Sequence, residues 1–81
     1  MRAIVTSAEM LGFARRWPCA NFPEDLGVCF EFDSNGNLVD IEWFNAWSGK
    51  RTHEPIGIDE RALLAVSEDA QNGLLGTRVQ S

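Results

Sequence analysis

The sequence predicts an α+β domain in which two helices pack on one face of a small antiparallel sheet, in the order α-β-β-(β)-α. Three observations predict this class: apolar residues at helical spacing near the N-terminus, two alternating stretches around Asn35-Gly36, and a second helical stretch after Asp59. The chain has 81 residues, the size of one domain. We therefore expect a single domain over residues 1–75 and a frayed C-terminal tail over residues 76–81.

The first helix is predicted by its start signal and by its apolar stripe. Thr6 and Glu9 have the T-x-x-E spacing of a capping box, in which each side chain bonds the backbone N–H of the other residue. Pro18 disfavours helical backbone at the residue before it and so predicts the helix end. The apolar residues between these signals recur at helical spacing: Met10, Phe13, Ala14 and Trp17.

The central hairpin is predicted by the two alternating stretches that flank Asn35-Gly36. Asn-Gly favours a two-residue type I′ turn, and such a turn fixes the register of the strands. Every apolar residue of one face then meets another apolar residue, whereas a slip by one residue would set Phe30 against Asp40. On this face the predicted register pairs Ser34 with Asn37, Phe32 with Val39, Phe30 with Ile41 and Val28 with Trp43. On the other face it pairs Asp33 with Leu38, Glu31 with Asp40 and Cys29 with Glu42.

Two further elements are predicted after the hairpin. Residues 50–53 are expected to form a short third strand that stops before Pro55. The second helix begins at the N-cap Asp59 and ends at Gly73, a residue suited to the left-handed backbone of a helix terminus. Its apolar side is Leu63, Val66, Ala70 and Leu74. The expected core is Phe13, Trp17, Phe30, Ile41, Trp43 and Leu63.

The net charge of −5 is concentrated in the middle of the chain. Residues 23–47 hold six Asp or Glu and no Lys or Arg, so we expect no direct binding to nucleic acid, whose phosphates need basic side chains. The hairpin register sets four carboxylates on one face without a cation between them. Removing one charge, as in Glu42→Gln, is then expected to be neutral or slightly stabilising. The predicted acidic face is Glu31, Asp33, Asp40 and Glu42.

This acidic face predicts a surface that binds a basic protein partner. The alternative is a solvated face that favours solubility, or one neutralised by cations from elsewhere: Arg15, Arg16, Lys50 or Arg51. Two aromatic residues at the hairpin exit, Phe44 and Trp47, are predicted anchors for such a partner, because aromatic side chains dominate the energetics of interfaces. The alternative for both is that residues 48–56 or the tail cover them.

No catalytic or cofactor motif is present, so we expect a protein that is not an enzyme and binds no metal or cofactor. One alternative is a metal-binding or Cys/His-dependent accessory enzyme that uses Cys19, Cys29 and His53, although the chain lacks a C-x-x-C spacing. Free thiols are expected for both cysteines, with one disulfide as the alternative. Another alternative is a structural module that forms a homodimer. The absence of a long apolar run or a secretory signal predicts a cytoplasmic protein without membrane contact.

Two stretches carry a resemblance to other proteins. F-A-R-R-W-P-C at residues 13–19 and F-E-F-D-S-N-G-N-L-V-D at residues 30–40 resemble small uncharacterised proteins of bacterial prophages and other mobile elements. In its size, acidity and lack of a catalytic motif the chain is also similar to phage-encoded inhibitors, the anti-CRISPR proteins among them. The resemblance implies an inhibitor of a nucleic-acid-binding complex and assigns a role to no individual residue.

Overall fold

The computed structural model describes residues 1–17, 25–54 and 59–79. Pro18, Cys19 and Pro55, about which predictions were made, lie outside these ranges. The predicted class is confirmed: two helices and an antiparallel sheet, in an order that roughly matches the prediction. The elements are β1 (Arg2–Val5), α1 (Ser7–Arg16), β2 (Leu26–Phe32), β3 (Leu38–Asn45), β4 (Arg51–Thr52), α2 (Glu60–Gln71) and β5 (Thr77–Val79).

In the described part of the chain the sheet has five strands, in the order β4-β3-β2-β1-β5, and every neighbouring pair is antiparallel. β1 and β5 were not predicted. The frayed tail is wrong for residues 77–79, because β1 has an outer edge with free backbone groups and β5 pairs with it. Glu9 helps to hold the segment before β5 against the first helix, since its Oε2 accepts a hydrogen bond from the Gly76 N–H at 2.8 Å. Residues 80–81 lie outside the described ranges.

The two helices begin where the sequence predicts. Thr6 and Glu9 form the capping box in both directions, with N···O distances of 3.2 and 3.3 Å. At α2, the Asp59 side chain accepts from the Arg61 N–H at 2.8 Å. α2 ends at Gln71, and Gly73 follows with a left-handed φ of 76°.

The end of α2 corrects one position on the predicted apolar side of this helix. Leu74 was placed on the apolar side of the helix, but it lies beyond the helix and is 76% exposed. The backbone turns sharply there, because the N–H groups of Leu74 and Leu75 both bond the Asp69 carbonyl. Leu75 is therefore the residue that enters the core.

The hairpin turn differs from the predicted type I′ turn. Gly36 has a φ of 82°, whereas no other residue of the described turn has positive φ. The Gly36 N–H bonds the Asp33 carbonyl at 3.1 Å, and the Asp33 N–H bonds the Asn37 carbonyl at 2.9 Å. The loop therefore has three residues, 34–36, and is a type I turn closed by a left-handed glycine.

A bulge in β3 restores the predicted register beyond this turn. Phe32 lies opposite Leu38 rather than Val39, and the register shifts between Glu31 and Phe32. Val39 is left 58% exposed instead of facing the core. From the bulge to the far end of the hairpin the predicted pairs are confirmed: Glu31 with Asp40, Phe30 with Ile41, Cys29 with Glu42, and Val28 with Trp43.

Both helices pack on the same face of the sheet, as predicted. Phe13, Phe30 and Trp43 are buried as expected, and Trp17, Ile41 and Leu63 pack partly buried against them. The buried apolar residues form one cluster: Ala3, Val5, Met10, Phe13, Val28, Phe30, Phe32, Trp43, Ala62, Val66, Ala70 and Leu75. Within the described ranges no helix covers the opposite face of the sheet, which we call the open face.

Candidate binding surface

The open face is built from the strand residues that alternate with the buried ones. Its side chains lie in three cross-strand rows because neighbouring residues across an antiparallel sheet share a face. The rows are Val79, Arg2, Glu31 and Asp40; Thr77, Ile4, Cys29 and Glu42; and Gly27, Phe44 and Arg51. The structure therefore brings together three of the four predicted acidic residues and one of the two predicted aromatic residues.

Cations flank the carboxylates of the open face, which supports the alternative of an acidic face neutralised by cations from elsewhere in the chain. Arg2 Nε lies 3.9 Å from Glu31 Oε2, and Arg51 Nη1 hydrogen-bonds Glu42 Oε1. The cations come from β1 and β4, the strands on either side of the hairpin. Arg51 was one of the neutralising residues considered from the sequence. Ala3 and Val5 alternate with Arg2 and Ile4, a spacing typical of a strand. This spacing was the signal that could have predicted Arg2 on the open face.

His53 is a third basic group on this surface, and the sequence reasoning did not place it there. Its Nδ1 lies 3.1 Å from Asp40 Oδ1 and its Nε2 lies 3.3 Å from Glu42 Oε2. Both ring nitrogens face carboxylate oxygens, and the protonated imidazole is the form that donates to both. His53 lies two residues after Arg51 in the predicted third strand. Alternate residues of a strand share a face, so this spacing indicated that His53 and Arg51 lie on the same side of the sheet.

Asp33 serves the hairpin turn and is not part of the open face. Its Oδ1 accepts from the N–H groups of Asn35 and Asn37, each at 2.9 Å. These hydrogen bonds, with that from the Asn37 N–H the largest, hold the pKa of the Asp33 carboxyl below its usual value. Its predicted position opposite Leu38 is wrong because the three-residue loop sets it opposite Asn37.

The two predicted aromatic anchors differ in exposure. Phe44 is half-buried and lies over Gly27, where a Cβ would overlap its ring. The Arg51 guanidinium lies 6.0 Å from the centroid of that ring. Trp47 is 88% exposed in the turn between β3 and β4. Of the two, Trp47 is the one whose ring is free to meet another molecule.

Hydrogen bonds fix the turn that carries Trp47. Asn45 Oδ1 accepts from the N–H groups of Trp47 and Ser48 at 2.9 and 2.8 Å. Asn45 Nδ2 donates to Asp25 Oδ2 at 3.0 Å, and the Ala46 N–H bonds the Asp25 carbonyl at 2.9 Å. The turn is thereby attached to the start of β2, and the backbone below the indole is held in one conformation.

The residues of the Cys/His alternative do not assemble within the described ranges. Cys29 is a free, half-buried thiol opposite Glu42, while Cys19 lies outside those ranges. Burial raises the pKa of the Cys29 thiol, which disfavours the thiolate that a nucleophile or metal ligand requires. In the described part of the chain, no group of three His, Cys, Asp or Glu side chains is placed to hold a metal ion.

Comparison of the chain with models of known protein families, with curated protein sequences and with solved structures found no match. Neither described helix has the length and apolar character that crossing a bilayer requires. The features of the described residues that bear on function are therefore the charged open face and the exposed Trp47 on its fixed turn.

Proposed function

We propose that this protein is a non-enzymatic protein-binding module that contacts its partner through the open face and Trp47. One observation carries the proposal: a tryptophan that is 88% exposed on a turn fixed by hydrogen bonds. Large exposed aromatic side chains offer apolar area to a partner, and Trp is enriched among the residues that dominate binding energy. A backbone already held in place loses little conformational entropy on binding.

One exposed carboxylate of the open face and the net charge of the chain favour a basic partner. Glu31 and Glu42 are paired with Arg2 and Arg51, but the Asp40 side chain is 56% exposed and has His53 as its neighbour. The chain as a whole carries −5. A partner with a basic surface would be attracted at long range by this net charge and then positioned by the alternating charges.

The sharper form of the proposal is an inhibitor of a complex that handles nucleic acid. Such complexes present Lys and Arg for the phosphate backbone, and an acidic domain competes for those side chains. An anti-CRISPR protein of a phage or mobile element is one inhibitor of this kind. The small size, the acidic composition and the lack of a catalytic motif support this form, and the resemblance at residues 13–19 and 30–40 supports a phage or mobile-element origin.

Affinity capture from host lysate, compared between wild type and Trp47→Ala, tests the proposal. Leu64→Ala is the matched control, because Leu64 is 51% exposed on α2, away from the open face. The partner captured by wild type is expected to bind Trp47→Ala about 30-fold more weakly and Leu64→Ala equally well. Equal binding of all three proteins would overturn the role of Trp47.

The charge component needs association rates at low and high salt. Asp40→Asn is expected to slow association with the captured partner and to reduce its salt dependence, since it removes an exposed carboxylate. Glu68→Gln, an exposed change on α2, is the control of equal charge. If both variants slow association equally, net charge and not the open face attracts the partner.

A further inference from the structure

Among the described residues, the outer edge of β3 is only partly paired. β4 pairs Thr52 with Trp43 and Arg51 with Phe44 and then ends. The same register would set Glu54 opposite Ile41, but no described strand lies beside β3 from Leu38 to Glu42. A sheet edge with free backbone groups is a template for pairing with another chain.

Side chains take the place of a strand at Ile41. The Ile41 carbonyl accepts from His53 Nδ1 at 3.2 Å, and the Ile41 N–H donates to Asp40 Oδ1 at 2.9 Å. The His53 and Asp40 side chains are both more than half exposed. Both side chains can rotate into solvent. The Ile41 N–H and carbonyl can then form hydrogen bonds with the backbone of an added strand instead.

A cleft of about 320 Å³ lies beside this edge. Val39, which the bulge turns outward, is 58% exposed there and adds an apolar wall. The cleft is lined by Leu38, Val39, Asp40, Ile41 and His53. Backbone groups bonded to side chains rather than to a strand, an apolar contact and a carboxylate therefore meet in one place.

Building on the binding role inferred above, we propose that this edge binds an extended basic segment of the partner as an added β-strand. Strand addition takes affinity from main-chain hydrogen bonds and specificity from alternate side chains. Here Ile41 supplies the main-chain groups and Val39 the apolar contact. Asp40 and Glu42 supply charge for Lys or Arg at alternate positions of the segment.

Charge favours a foreign segment over a second copy of this chain. Two copies of β3 paired about a two-fold axis centred on Asp40 would set Asp40 against Asp40. Centred on Ile41, they would set Asp40 against Glu42. Like charges directly opposite destabilise a strand pair, and each copy carries −5 overall.

Peptide titration of the ¹⁵N-labelled protein, followed by NMR, tests the inference. The probe is the peptide Lys-Val-Lys-Val-Lys, acetylated and amidated. Its addition is expected to shift the amides of Val39 and Ile41 and the ring of His53 more than the indole of Trp47. When the lysines lie opposite Asp40 and Glu42, a valine lies opposite Ile41 and its N–H faces the Ile41 carbonyl. N-methylation of both valine nitrogens, which removes this donor, is expected to weaken binding about tenfold. The peptide Glu-Val-Glu-Val-Glu is expected not to bind.

Val39→Lys provides the matching change in the protein. A lysine on an exposed edge strand blocks pairing and repels the basic probe, so about tenfold weaker binding is expected. Leu64→Lys on α2 adds the same charge at an exposed position and is expected to leave probe binding within about twofold. His53→Ala exposes the Ile41 carbonyl and is expected to tighten binding.

Three results would overturn strand addition at this edge: no shift at Val39 and Ile41, equal binding of the N-methylated probe, or a dimer in sedimentation that Val39→Lys dissociates. The last result would assign the edge to a second copy. These failures are distinct from failure of the proposed function, which is decided by Trp47→Ala and the captured partner. If binding of the captured partner depends on Trp47 but not on Val39, the proposed binding role is supported and strand addition at this edge is contradicted.

Discussion

The covered face and the open face of the hairpin differ in burial and in chemistry, although their residues alternate along the same strands. Phe30 is fully buried under the helices, whereas Cys29 and Glu31 on either side of it lie half-buried on the open face. The covered face is apolar throughout β1 and β2. The open face alternates carboxylates with Arg2, Arg51 and His53. The covered face therefore determines whether the chain folds, and the open face is free to determine what it binds.

Physical magnitudes explain this division. Burial of apolar area contributes roughly 25 cal/mol per Å², so each large buried side chain is worth a few kcal/mol. Ion pairs at exposed positions contribute about 0–1 kcal/mol each, because water screens them and ordering the side chains costs entropy. A substitution is thus expected to cost several times more on the covered face than on the open face.

The largest expected contrast is between two tryptophans near the same hairpin end. Trp43 is 3% exposed and Trp47 is 88% exposed. Trp43→Ala is expected to lower the free energy of unfolding by about 3–5 kcal/mol, and Trp47→Ala to change it by less than about 0.5 kcal/mol. Urea denaturation of both variants measures the difference. Similar losses in the two variants would contradict the assignment of the faces.

The next largest effect is expected at the turn that sets the register. Gly36 has a φ of 82°, and a Cβ there would also crowd Gln71 Nε2, which donates to the Gly36 carbonyl. Gly36→Val is expected to cost about 1–3 kcal/mol in urea denaturation. Gly36→Asn is the control and is expected to cost less, because Asn tolerates the left-handed region. Equal losses would show that space, not backbone conformation, limits this position.

A smaller effect is expected at Glu42, with a sign opposite to that predicted from the sequence. Because Arg51 and His53 both contact this carboxylate, Glu42→Gln is expected to destabilise the fold by about 0.2–1 kcal/mol and by less at high salt. The exposed Glu68→Gln is the control, with a change below about 0.5 kcal/mol. A stabilised Glu42→Gln variant would restore the hypothesis of a repulsive acidic face.

The smallest expected effect is a change in acid stability at Asp33. Its folded-state pKa is lowered, so its contribution to stability is complete above the unfolded pKa of about 3.9 and is lost as the pH falls through the folded value. Asp33→Asn retains an oxygen that accepts from Asn35 and Asn37 but does not titrate there. This variant should lose less stability than wild type on acidification, measured by urea denaturation across that range. NMR titration of the Asp33 carboxyl gives its pKa directly.

The sequence alone determined the elements whose signals are local. The capping box of Thr6 and Glu9, the N-cap Asp59 and the alternating hairpin strands each depend on residues within a few positions of one another. The pairing of Phe30 with Ile41 was also predicted, because the apolar pattern on the covered face permits one register. The turn type was not, since Asp33 bonds two backbone N–H groups and so favours a type I turn over the Asn-Gly preference.

Only the tertiary structure decided what lies beside the hairpin. β1 and β5 are four and three residues long, and such short segments become strands because a neighbour supplies their hydrogen bonds. Pairing of β1 with β2 places Arg2 beside Glu31, which is far from it in the sequence. Pairing of β4 with β3 places Arg51 and the following His53 beside Glu42. Local pattern specified the acids of the open face, but their counter-charges depend on the order of the strands, which only packing of the whole chain fixes.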